Sequence, residues 1–337
     1  MLSLAQYGAF CMLEDILNSK KCFKLVCAAG NEDAEEVERL VYLYSMAGAS
    51  FFDVCAKSEI VDAAKSGIMK SGIEKDRYIC ISVGITGDPH ISKARILTEM
   101  CKNCAECAKI CPQEAIIFEN KIYNVKEKRC IGCGNCIKTC SHNAIELYNI
   151  EQDISTILPP LIQKGIDCVE LHACGCDDFE VFNKWEEINK RYKGMLSICI
   201  DRSNLGNKAM VNRLKKLLIS RKPYSTIIQA DGAPMSGFDD GFKTTLQAVA
   251  TAEIIQNENM PAYIMLSGGT NSKTAKLAQM CGVNANGVAI GSYARKIVRD
   301  YIVRDDFYID TYVLNDALQI AKKLVDDTLS YMGENNG

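Results

Sequence analysis

The sequence predicts an α/β fold: a closed TIM-like (βα)8 barrel that is interrupted after its third strand by a small cysteine-rich domain. Eight apolar runs of β-type composition alternate with helical patterns, which is typical of a parallel sheet built from βα units. Regularly spaced cysteines fill the interval between the third and fourth runs. Without about 60 residues for that interval, the 337-residue chain is close to the roughly 250 residues typical of such a barrel. An open doubly wound sheet is the alternative.

Each predicted strand is a short run rich in β-branched, aromatic or other apolar residues. The runs cover Phe23–Ala28, Ser50–Cys55, Tyr78–Val83, Asp167–His172, Met195–Ile200, Ser225–Ala230, Ala262–Leu266 and Gly287–Ile290. Helical patterns lie between them, for example over Asp33–Met46, Asp178–Arg191, Lys208–Ser220, Gly241–Gln256 and Ser272–Met280. The order of these elements is the order expected for a chain that winds around a barrel.

The pattern divides the chain into five segments. We expect an N-terminal helix over 1–22, barrel strands 1–3 over 23–89, the cysteine-rich insertion over 90–149, barrel strands 4–8 over 150–300, and a C-terminal helix and tail over 301–337. Loops at the carboxyl end of barrel strands tolerate added sequence and carry most barrel functions. An insertion after the third strand is therefore physically reasonable.

The insertion contains one cysteine motif twice, C-x2-C-x2-C-x3-C, with identical spacing in both copies. Three thiolates of such a turn surround one 4Fe-4S cube, and in two-cluster ferredoxins the fourth ligand comes from the other motif. The spacing therefore predicts a bacterial-ferredoxin-like domain with two 4Fe-4S clusters. The expected ligands are Cys101, Cys104, Cys107 and Cys140 for one cluster, and Cys130, Cys133, Cys136 and Cys111 for the other.

Two further observations bear on this insertion. An Ala-Ile pair follows each motif, at Ala115-Ile116 and Ala144-Ile145, and we expect the two runs that begin there to pair as short strands. Two structural zinc sites are the alternative to the clusters. Zinc usually takes two C-x2-C hooks that are a dozen or more residues apart, so uninterrupted triplets favour iron.

Composition limits the compartment and the partners. The N-terminal stretch lacks the basic start and cleavage site of a signal peptide, and no apolar run reaches about 18 residues, so we expect a cytoplasmic protein without a membrane span. In that reducing compartment, 18 cysteines indicate metal or redox work rather than disulfides. A net charge of −3 excludes the basic footprint that nucleic-acid binding needs. Residues 90–149 carry nine Lys and Arg against six Asp and Glu, a surface that suits an acidic redox partner protein or is simply solvated.

Glycine-containing loops follow the last two predicted strands. They include Gly268, Gly269, Thr270 and Asn271 after the seventh strand, and Gly291 and Ser292 after the eighth. In barrels of this class, the backbone N–H groups and helix N-termini of these loops commonly hold a phosphate. The loops therefore predict a site for flavin mononucleotide (FMN) or another phosphate-bearing ligand, although the glycines are also explained by tight strand-to-helix turns.

Polar residues end several other strands, where they are expected to converge on the barrel mouth or to serve local capping roles. They are Asp53, His172, Asp201, Arg202, Gln229 and Asp231. His172 is the natural proton-transfer group near neutral pH, and Cys174 and Cys176 follow it in one loop, where they are candidates for a metal site, a redox pair or two free thiols. The candidate catalytic residues are thus His172, Cys174, Cys176 and Asp231. Cys168 and Cys199 lie within apolar strands and are expected to be small core residues.

Short motifs along the barrel carry a resemblance to a known family. They are Lys24-Leu25-Val26-Cys27, Asp88-Pro89-His90, Gln229-Ala230-Asp231-Gly232, Pro234-Met235-Ser236-Gly237, Ser267-Gly268-Gly269-Thr270-Asn271, Gly287-Val288-Ala289 and Gly291-Ser292-Tyr293-Ala294-Arg295. In this order, and over most of the chain, the sequence resembles the light-dependent period protein LdpA family. The resemblance implies an iron-sulfur redox protein, of a kind associated in photosynthetic bacteria with reporting cellular redox state to the circadian clock.

Two functions remain open from the sequence. The first is electron transfer or redox sensing by the two clusters, with the barrel as scaffold, ligand sensor or docking surface. The alternative is a flavin-dependent oxidoreductase, in which the barrel binds FMN or another small phosphorylated molecule and the clusters relay electrons to it. His172 or Cys174 would then supply a proton.

Overall fold

A computed structural model describes residues 13–27, 30–85, 91–150, 153–173, 177–202, 205–233 and 240–333. Within them, twelve strands form three sheets. In chain order the strands are β1 (Cys22–Val26), β2 (Phe51–Cys55), β3 (Tyr78–Val83), β4 (Ser92–Ile96), β5 (Ile116–Glu119), β6 (Ile122–Val125), β7 (Ile145–Asn149), β8 (Cys168–His172), β9 (Met195–Ile200), β10 (Thr226–Asp231), β11 (Tyr263–Ser267) and β12 (Gly287–Ile290).

Eight parallel strands close into a barrel in the order β1-β12-β11-β10-β9-β8-β3-β2. These are the eight predicted strands, with bounds that differ by at most two residues, so the predicted barrel is confirmed and the open sheet is excluded. Strand β3 pairs directly with β8, with Cys80 opposite Cys168, although the whole insertion lies between them in the chain. Closure leaves no edge strand in this sheet to be protected.

The helices of the barrel pack outside the strands. They cover Ala34–Ala47, Ser58–Ser71, Ile154–Gln163, Asp178–Arg191, Asn207–Leu218, Phe242–Asn257, Thr274–Met280, Ser292–Lys296, Arg299–Ile302 and Thr311–Ser330. Aspartates cap several of them; the side chain of Asp33, for example, accepts from the Glu36 backbone N–H and satisfies an orphan donor of the first turn. A helical segment over 13–18 precedes β1. No helix among the described ranges combines the length and the apolar character of a membrane span.

The barrel interior is divided along its axis. Residues near the amino ends of the strands form a buried apolar layer that includes Phe51, Tyr78, Met195 and Tyr263. Leu13 and Leu17 of the helical segment pack against this layer and are fully buried. The carboxyl half of the interior is instead lined by charged and polar side chains. The hydrophobic effect therefore closes the amino end, and any chemistry of the barrel lies toward the carboxyl end.

The insertion is built from two small antiparallel sheets and two short helices. Strand β4 pairs with β7, strand β5 pairs with β6, and the helices cover Glu106–Ile110 and Asn135–Thr139. The expectation that the runs at Ile116 and Ile145 pair with each other is wrong, because β5 forms a hairpin with the next strand, β6, whereas β7 pairs with β4 from before the first motif. The β4–β7 pairing joins the two ends of the insertion, where the Ile150 backbone N–H also donates to the Ile91 carbonyl at 2.9 Å.

A buried lysine fastens the insertion to the barrel. Lys93 is 1% exposed, and its Nζ donates to the carbonyls of Gly30, Glu127 and Cys130 at 2.7, 3.0 and 2.8 Å. Gly30 belongs to the loop after β1, whereas Glu127 and Cys130 belong to the insertion, at the start of its second cysteine motif. One ammonium group therefore satisfies carbonyls from both units, and hydrogen bonds from a charged donor are stronger than neutral ones.

Two arginines add contacts at the same boundary. Arg299, which begins the short helix Arg299–Ile302, donates to the Gln113 carbonyl at 3.0 Å. Arg129 of the insertion lies 3.3 Å from Asp33, at the start of the first barrel helix. Together with Lys93, these contacts place the insertion against the carboxyl-end loops of the barrel.

Candidate functional site

The eight predicted cluster ligands gather into two quartets, each around its own cavity. The first cavity is lined by Cys101, Cys104, Cys107 and Cys140, which we term the outer quartet. The second is lined by Cys111, Cys130, Cys133 and Cys136, which we term the inner quartet. The last cysteine of each motif thus lies with the first three cysteines of the other motif. This is the crossed arrangement on which the predicted ligand sets are based.

The backbone repeats its conformation in the two motifs. Asn103 and Ala105 have φ values of 52° and 68°, and the equivalent positions Gly132 and Gly134 have 68° and 71°. Glycine adopts this left-handed conformation freely, whereas alanine adopts it at a cost of about 1–2 kcal/mol. In the first motif Ala105 adopts this conformation all the same, and the turn brings the sulfurs of Cys101, Cys104 and Cys107 to one cavity.

Backbone amides of these turns point at cysteine sulfurs. The N–H of Asn103 donates to Cys101 Sγ at 3.4 Å. At the end of each motif, the N–H groups of Ala115 and Ala144 donate to the Sγ atoms of Cys111 and Cys140 at 3.3 and 3.4 Å. Such N–H···S contacts stabilise negative charge on sulfur and help to set the reduction potential of a bound cluster.

The two quartets differ in exposure. Cys104 of the outer quartet is exposed, whereas Cys130 and Cys136 of the inner quartet are buried. The Cys130 carbonyl accepts from Lys93, so the inner quartet is the one on the barrel side. Burial raises the pKa of Cys136 to about 12, and the neighbouring thiols Cys133, Cys130 and Cys111 add to this effect.

A second constellation lies inside the carboxyl half of the barrel, around a fully buried lysine. Lys24 of β1 places its Nζ 2.8 Å from Asp53 Oδ2 and 2.6 Å from Glu170 Oε2. It also donates to Gln229 Oε1 at 3.1 Å, and Ser82 donates to the other oxygen of Asp53. All of these side chains are at most 2% exposed. A charge at this depth is tolerated only when it is paired and hydrogen-bonded.

The protonation of this constellation follows from its geometry. Burial disfavours a charged amine, but the carboxylates of Asp53 and Glu170 outweigh it and hold the pKa of Lys24 above its usual range. Burial also disfavours the Glu170 carboxylate, yet Lys24 and His172 keep the pKa of Glu170 well below its usual range. Lys24 is therefore an ammonium and Glu170 a carboxylate at neutral pH, and this lysine has no free pair for nucleophilic attack.

Three buried residues lie one layer further toward the carboxyl end. His172 Nε2 is 3.2 Å from Glu170 Oε1, and Cys199 Sγ donates to Asp231 Oδ2 at 2.7 Å. Burial raises the pKa of Asp231, an effect that its hydrogen bonds from Cys199 and Ser267 only partly oppose. Cys199 is therefore not a plain core residue, because its thiol faces a carboxyl group; Cys168 does pack within the apolar layer, as expected.

The predicted phosphate loops are closely connected to neighbouring loops. The Thr270 hydroxyl donates to the Ala289 carbonyl, and Asn271 Nδ2 donates to the Gly241 carbonyl at 2.7 Å. A Cβ at Gly268 would come within 2.8 Å of the Gly232 backbone nitrogen, so this glycine is required by close packing of two loops. Gly291 and Ser292 begin a helix of five residues after β12.

The structure brings together some of the predicted mouth residues and not others. Asp53, His172, Gln229 and Asp231 converge, whereas Arg202 is directed to Gln247 at 3.3 Å on a barrel helix. Cys174 and Cys176 lie outside the described residues. Sequence reasoning missed Lys24 and Glu170 as site residues, although a charged residue within an otherwise apolar strand is a signal for a buried partner.

Comparison with known families and proteins gives a consistent assignment. The family described as the Light dependent period A C-terminal domain matches residues 160–327, and a 4Fe-4S dicluster domain matches residues 93–141. The chain is 30% identical over 274 residues to Light dependent period A from Synechococcus elongatus, a match that covers 79% of this chain and 76% of that protein.

Solved structures share the fold at low identity. The YdjI aldolase from Escherichia coli K12 matches with a TM-score of 0.50 and 7% identity, over 100% of this chain and 99% of that one. Tryptophan synthase subunit alpha from Legionella pneumophila matches with a TM-score of 0.47 and 10% identity, over 98% of both chains. At 7% identity the aldolase match speaks only to the barrel architecture.

Proposed function

Since the chain belongs to the light dependent period A family and is an iron-sulfur protein, we propose that it binds two 4Fe-4S clusters and uses them for electron transfer or redox sensing. The observation that carries this proposal is the gathering of eight cysteines into two quartets of four. A bound cluster of this type exchanges one electron at a time.

The residues fit two such clusters. Four sulfur donors surround each cavity, and backbone N–H groups are directed at sulfur in both motifs. Thiolates are the ligands that these clusters require, and each quartet supplies four of them; Glu106 and His142 also line the cavity of the outer quartet. The outer quartet would hold one cluster, termed the outer cluster, and the inner quartet the other, termed the inner cluster.

The difference in exposure supports a direction for electron exchange. The outer quartet contains the exposed Cys104, and the exposed Lys102 lines its cavity. The inner quartet is nearer to the barrel, because Lys93 donates both to the Cys130 carbonyl and to the Gly30 carbonyl of the barrel. An acidic redox partner would dock at the outer quartet, and the inner quartet would connect that partner with the barrel interior.

Anaerobic reconstitution with iron and sulfide tests the proposal. We expect about eight irons and eight acid-labile sulfides per chain, with absorption near roughly 400 nm that bleaches on reduction. Cys111→Ser should disturb the inner cluster, and Cys140→Ser the outer one, in the electron paramagnetic resonance spectrum of the reduced protein. Cys281→Ser, which alters an exposed cysteine of the barrel, is the matched control. Four or fewer irons per chain, or zinc without sulfide, would contradict the proposal.

A second candidate function is a flavin-dependent oxidoreductase. It is favoured by one observation: the polar, buried half of the barrel interior lies at the carboxyl end of the strands, where Lys93 joins the insertion to the loop after β1. In this proposal Gly268, Gly269, Thr270, Asn271, Gly291 and Ser292 hold the phosphate of FMN or a related ligand, and His172 or Asp231 handles a proton. Flavin released from anaerobically purified, denatured protein would support it, and folded protein that binds no FMN at high micromolar concentration would contradict it.

A further inference from the structure

Beyond the two clusters, we propose that the barrel mouth binds one divalent transition-metal ion through Glu170, His172 and Cys199, with Asp231 beside it. This site lies within the barrel and uses none of the eight cysteines of the insertion. Its occupancy therefore does not depend on the proposed clusters.

The three donors are already assembled. One oxygen of Glu170, one ring nitrogen of His172 and the sulfur of Cys199 all lie within 4.8 Å of one another, and all three residues are buried. Metal–sulfur and metal–nitrogen bonds near 2.3 and 2.0–2.1 Å place the donors of a tetrahedral site about 3.3–3.7 Å apart. Small side-chain rotations are enough to reach that geometry.

Strand register explains why the donors meet. Residues i and i+2 of a strand face the same side, so Glu170 and His172 of β8 both point into the barrel. Cys199 of β9 stands directly opposite His172 in the parallel pairing. Asp231 of the next strand, β10, places Oδ2 2.7 Å from the Cys199 sulfur. The three donors are therefore held by two adjacent strands of the barrel, β8 and β9, and Asp231 by the next strand, rather than by loops.

The carboxylate of Glu170 is oriented by neighbours on its far side. Its Oε2 accepts from Lys24 Nζ at 2.6 Å and from Ser197 Oγ at 2.8 Å. Its Oε1 is the oxygen that faces His172, at 3.2 Å from Nε2. Carboxylate ligands of metal sites are commonly fixed in this way by hydrogen bonds to the oxygen that does not ligate.

The donor set selects the class of ion. Imidazole, thiolate and carboxylate together suit a borderline ion such as Zn²⁺ or Fe²⁺, whereas Mg²⁺ and Ca²⁺ prefer oxygen ligands alone. Three protein ligands with an open fourth position are typical of sites where a metal binds water or substrate. The opposing account is a purely structural ion pair between a protonated His172 and Glu170, in which Cys199 has no part.

Zinc binding to the cluster-loaded chain distinguishes these accounts. Under anaerobic conditions we expect one additional Zn²⁺ per chain, with the iron content unchanged. Zinc-edge X-ray absorption should show one sulfur at about 2.3 Å, with nitrogen and oxygen at about 2.0–2.2 Å. Four sulfurs around zinc would mean that it occupies a cysteine quartet, and this result, like the absence of bound zinc, would overturn the proposal.

Variants provide the second measurement. His172→Ala and Cys199→Ser should each weaken Zn²⁺ binding at least roughly tenfold, since even changes outside the ligand shell cost about that much. Cys281→Ser alters an exposed cysteine elsewhere in the barrel and should leave binding unchanged. Equal affinity in all three variants would overturn the proposal. If a barrel variant fails to fold, the absorption spectrum of the wild-type protein still decides.

Discussion

The insertion and the barrel mouth both collect reactive side chains, but they do so by opposite means. In the insertion, three cysteines of each quartet lie three residues apart in the sequence and are brought together by a local turn, and several of the eight cysteines remain partly exposed. In the barrel, Lys24 reaches a partner that is 146 residues away in the chain, and the whole constellation is buried.

The difference determines what each region tolerates. A lost cysteine in the insertion removes a ligand but little of the packed interior, so the barrel should remain folded. A lost partner in the barrel leaves an uncompensated charge where water cannot reach it, so the fold itself is at risk. The following predictions test this contrast, from the largest expected effect to the smallest.

Replacement of the buried lysine should have the largest effect. Lys24→Met leaves the carboxylates of Asp53 and Glu170 without their shared ammonium, and should lower the free energy of unfolding by about 3–5 kcal/mol. Urea denaturation followed by circular dichroism measures it. Lys164→Met is the control, because its ion pair with Asp62 is exposed and should be worth less than about 1 kcal/mol. Equal losses in the two variants would break the contrast.

The lysine that fastens the insertion should rank next. Lys93→Met removes a charged donor from the carbonyls of Gly30 and Cys130, at a cost of about 2–3 kcal/mol. Hydrogen exchange at this boundary should accelerate, while amides in the barrel strands remain protected. Arg95→Met, two residues along the same strand, removes an exposed ion pair with Glu146 and a contact with the Tyr148 ring, and should cost less than about 1 kcal/mol. Unchanged exchange in Lys93→Met would show that other contacts dock the insertion.

A pH effect should arise at the amino end of the barrel. Burial raises the pKa of Asp167 to about 6, and the hydrogen bond from the Ile79 N–H only partly opposes it. The folded state therefore binds this proton more tightly than the unfolded state, so stability declines as pH rises from about 4 to about 6 and then levels off.

Asp167→Asn should remove that decline. Because the side chain is partly exposed, we expect a gain of about 1–2 kcal/mol at pH 7.5 and almost none at pH 4. Melting temperatures at the two pH values measure the difference. Asp62→Asn, at an exposed carboxylate, is the control. A gain of the same size at both pH values would exclude titration as its cause.

The smallest effect concerns backbone conformation in the cysteine turns. Gly134 has a φ of 71°, and a Cβ added there would meet only Leu147 Cδ1, at 4.0 Å, so Gly134→Ala should cost about 1 kcal/mol from backbone strain alone. Ala105→Gly should relieve the same strain at the equivalent position of the first motif. Gly72→Ala, with a φ of 70° and no close neighbours at the end of a barrel helix, should cost the same. Thermal melting of the cluster-loaded protein compares all three.

Much of the architecture was predictable because its signals are local. Each strand of the barrel is a contiguous apolar run, and the insertion reveals itself through spacing within eleven residues per motif. The predicted pairing of the runs at Ile116 and Ile145 was wrong, because an apolar run in the sequence shows where a strand lies but not which other strand it pairs with.

The barrel constellation was less predictable because its members are scattered. His172 and Asp231 attract attention at strand ends, but Lys24 stands in the middle of the run Cys22–Val26 and is notable in the sequence only as part of a family motif. Its need for a counter-charge follows from burial, which the sequence implies only after the strand is known to be inside. Cys199 was expected to be a small core residue, and only the register of strands β8, β9 and β10 shows that its thiol faces Asp231.

The pairing of β4 with β7 has a consequence for assembly of the chain. Strands β3 and β8 must meet to close the barrel, and the long segment between them makes that encounter entropically unfavourable. Once β4 and β7 have paired, the segment to be closed shrinks to about a third of its length, which lowers the closure cost by about 1 kcal/mol. Because Cys101 follows β4 and Cys140 precedes β7, a cluster bound at the outer quartet would hold these two strands together and so favour closure of the barrel.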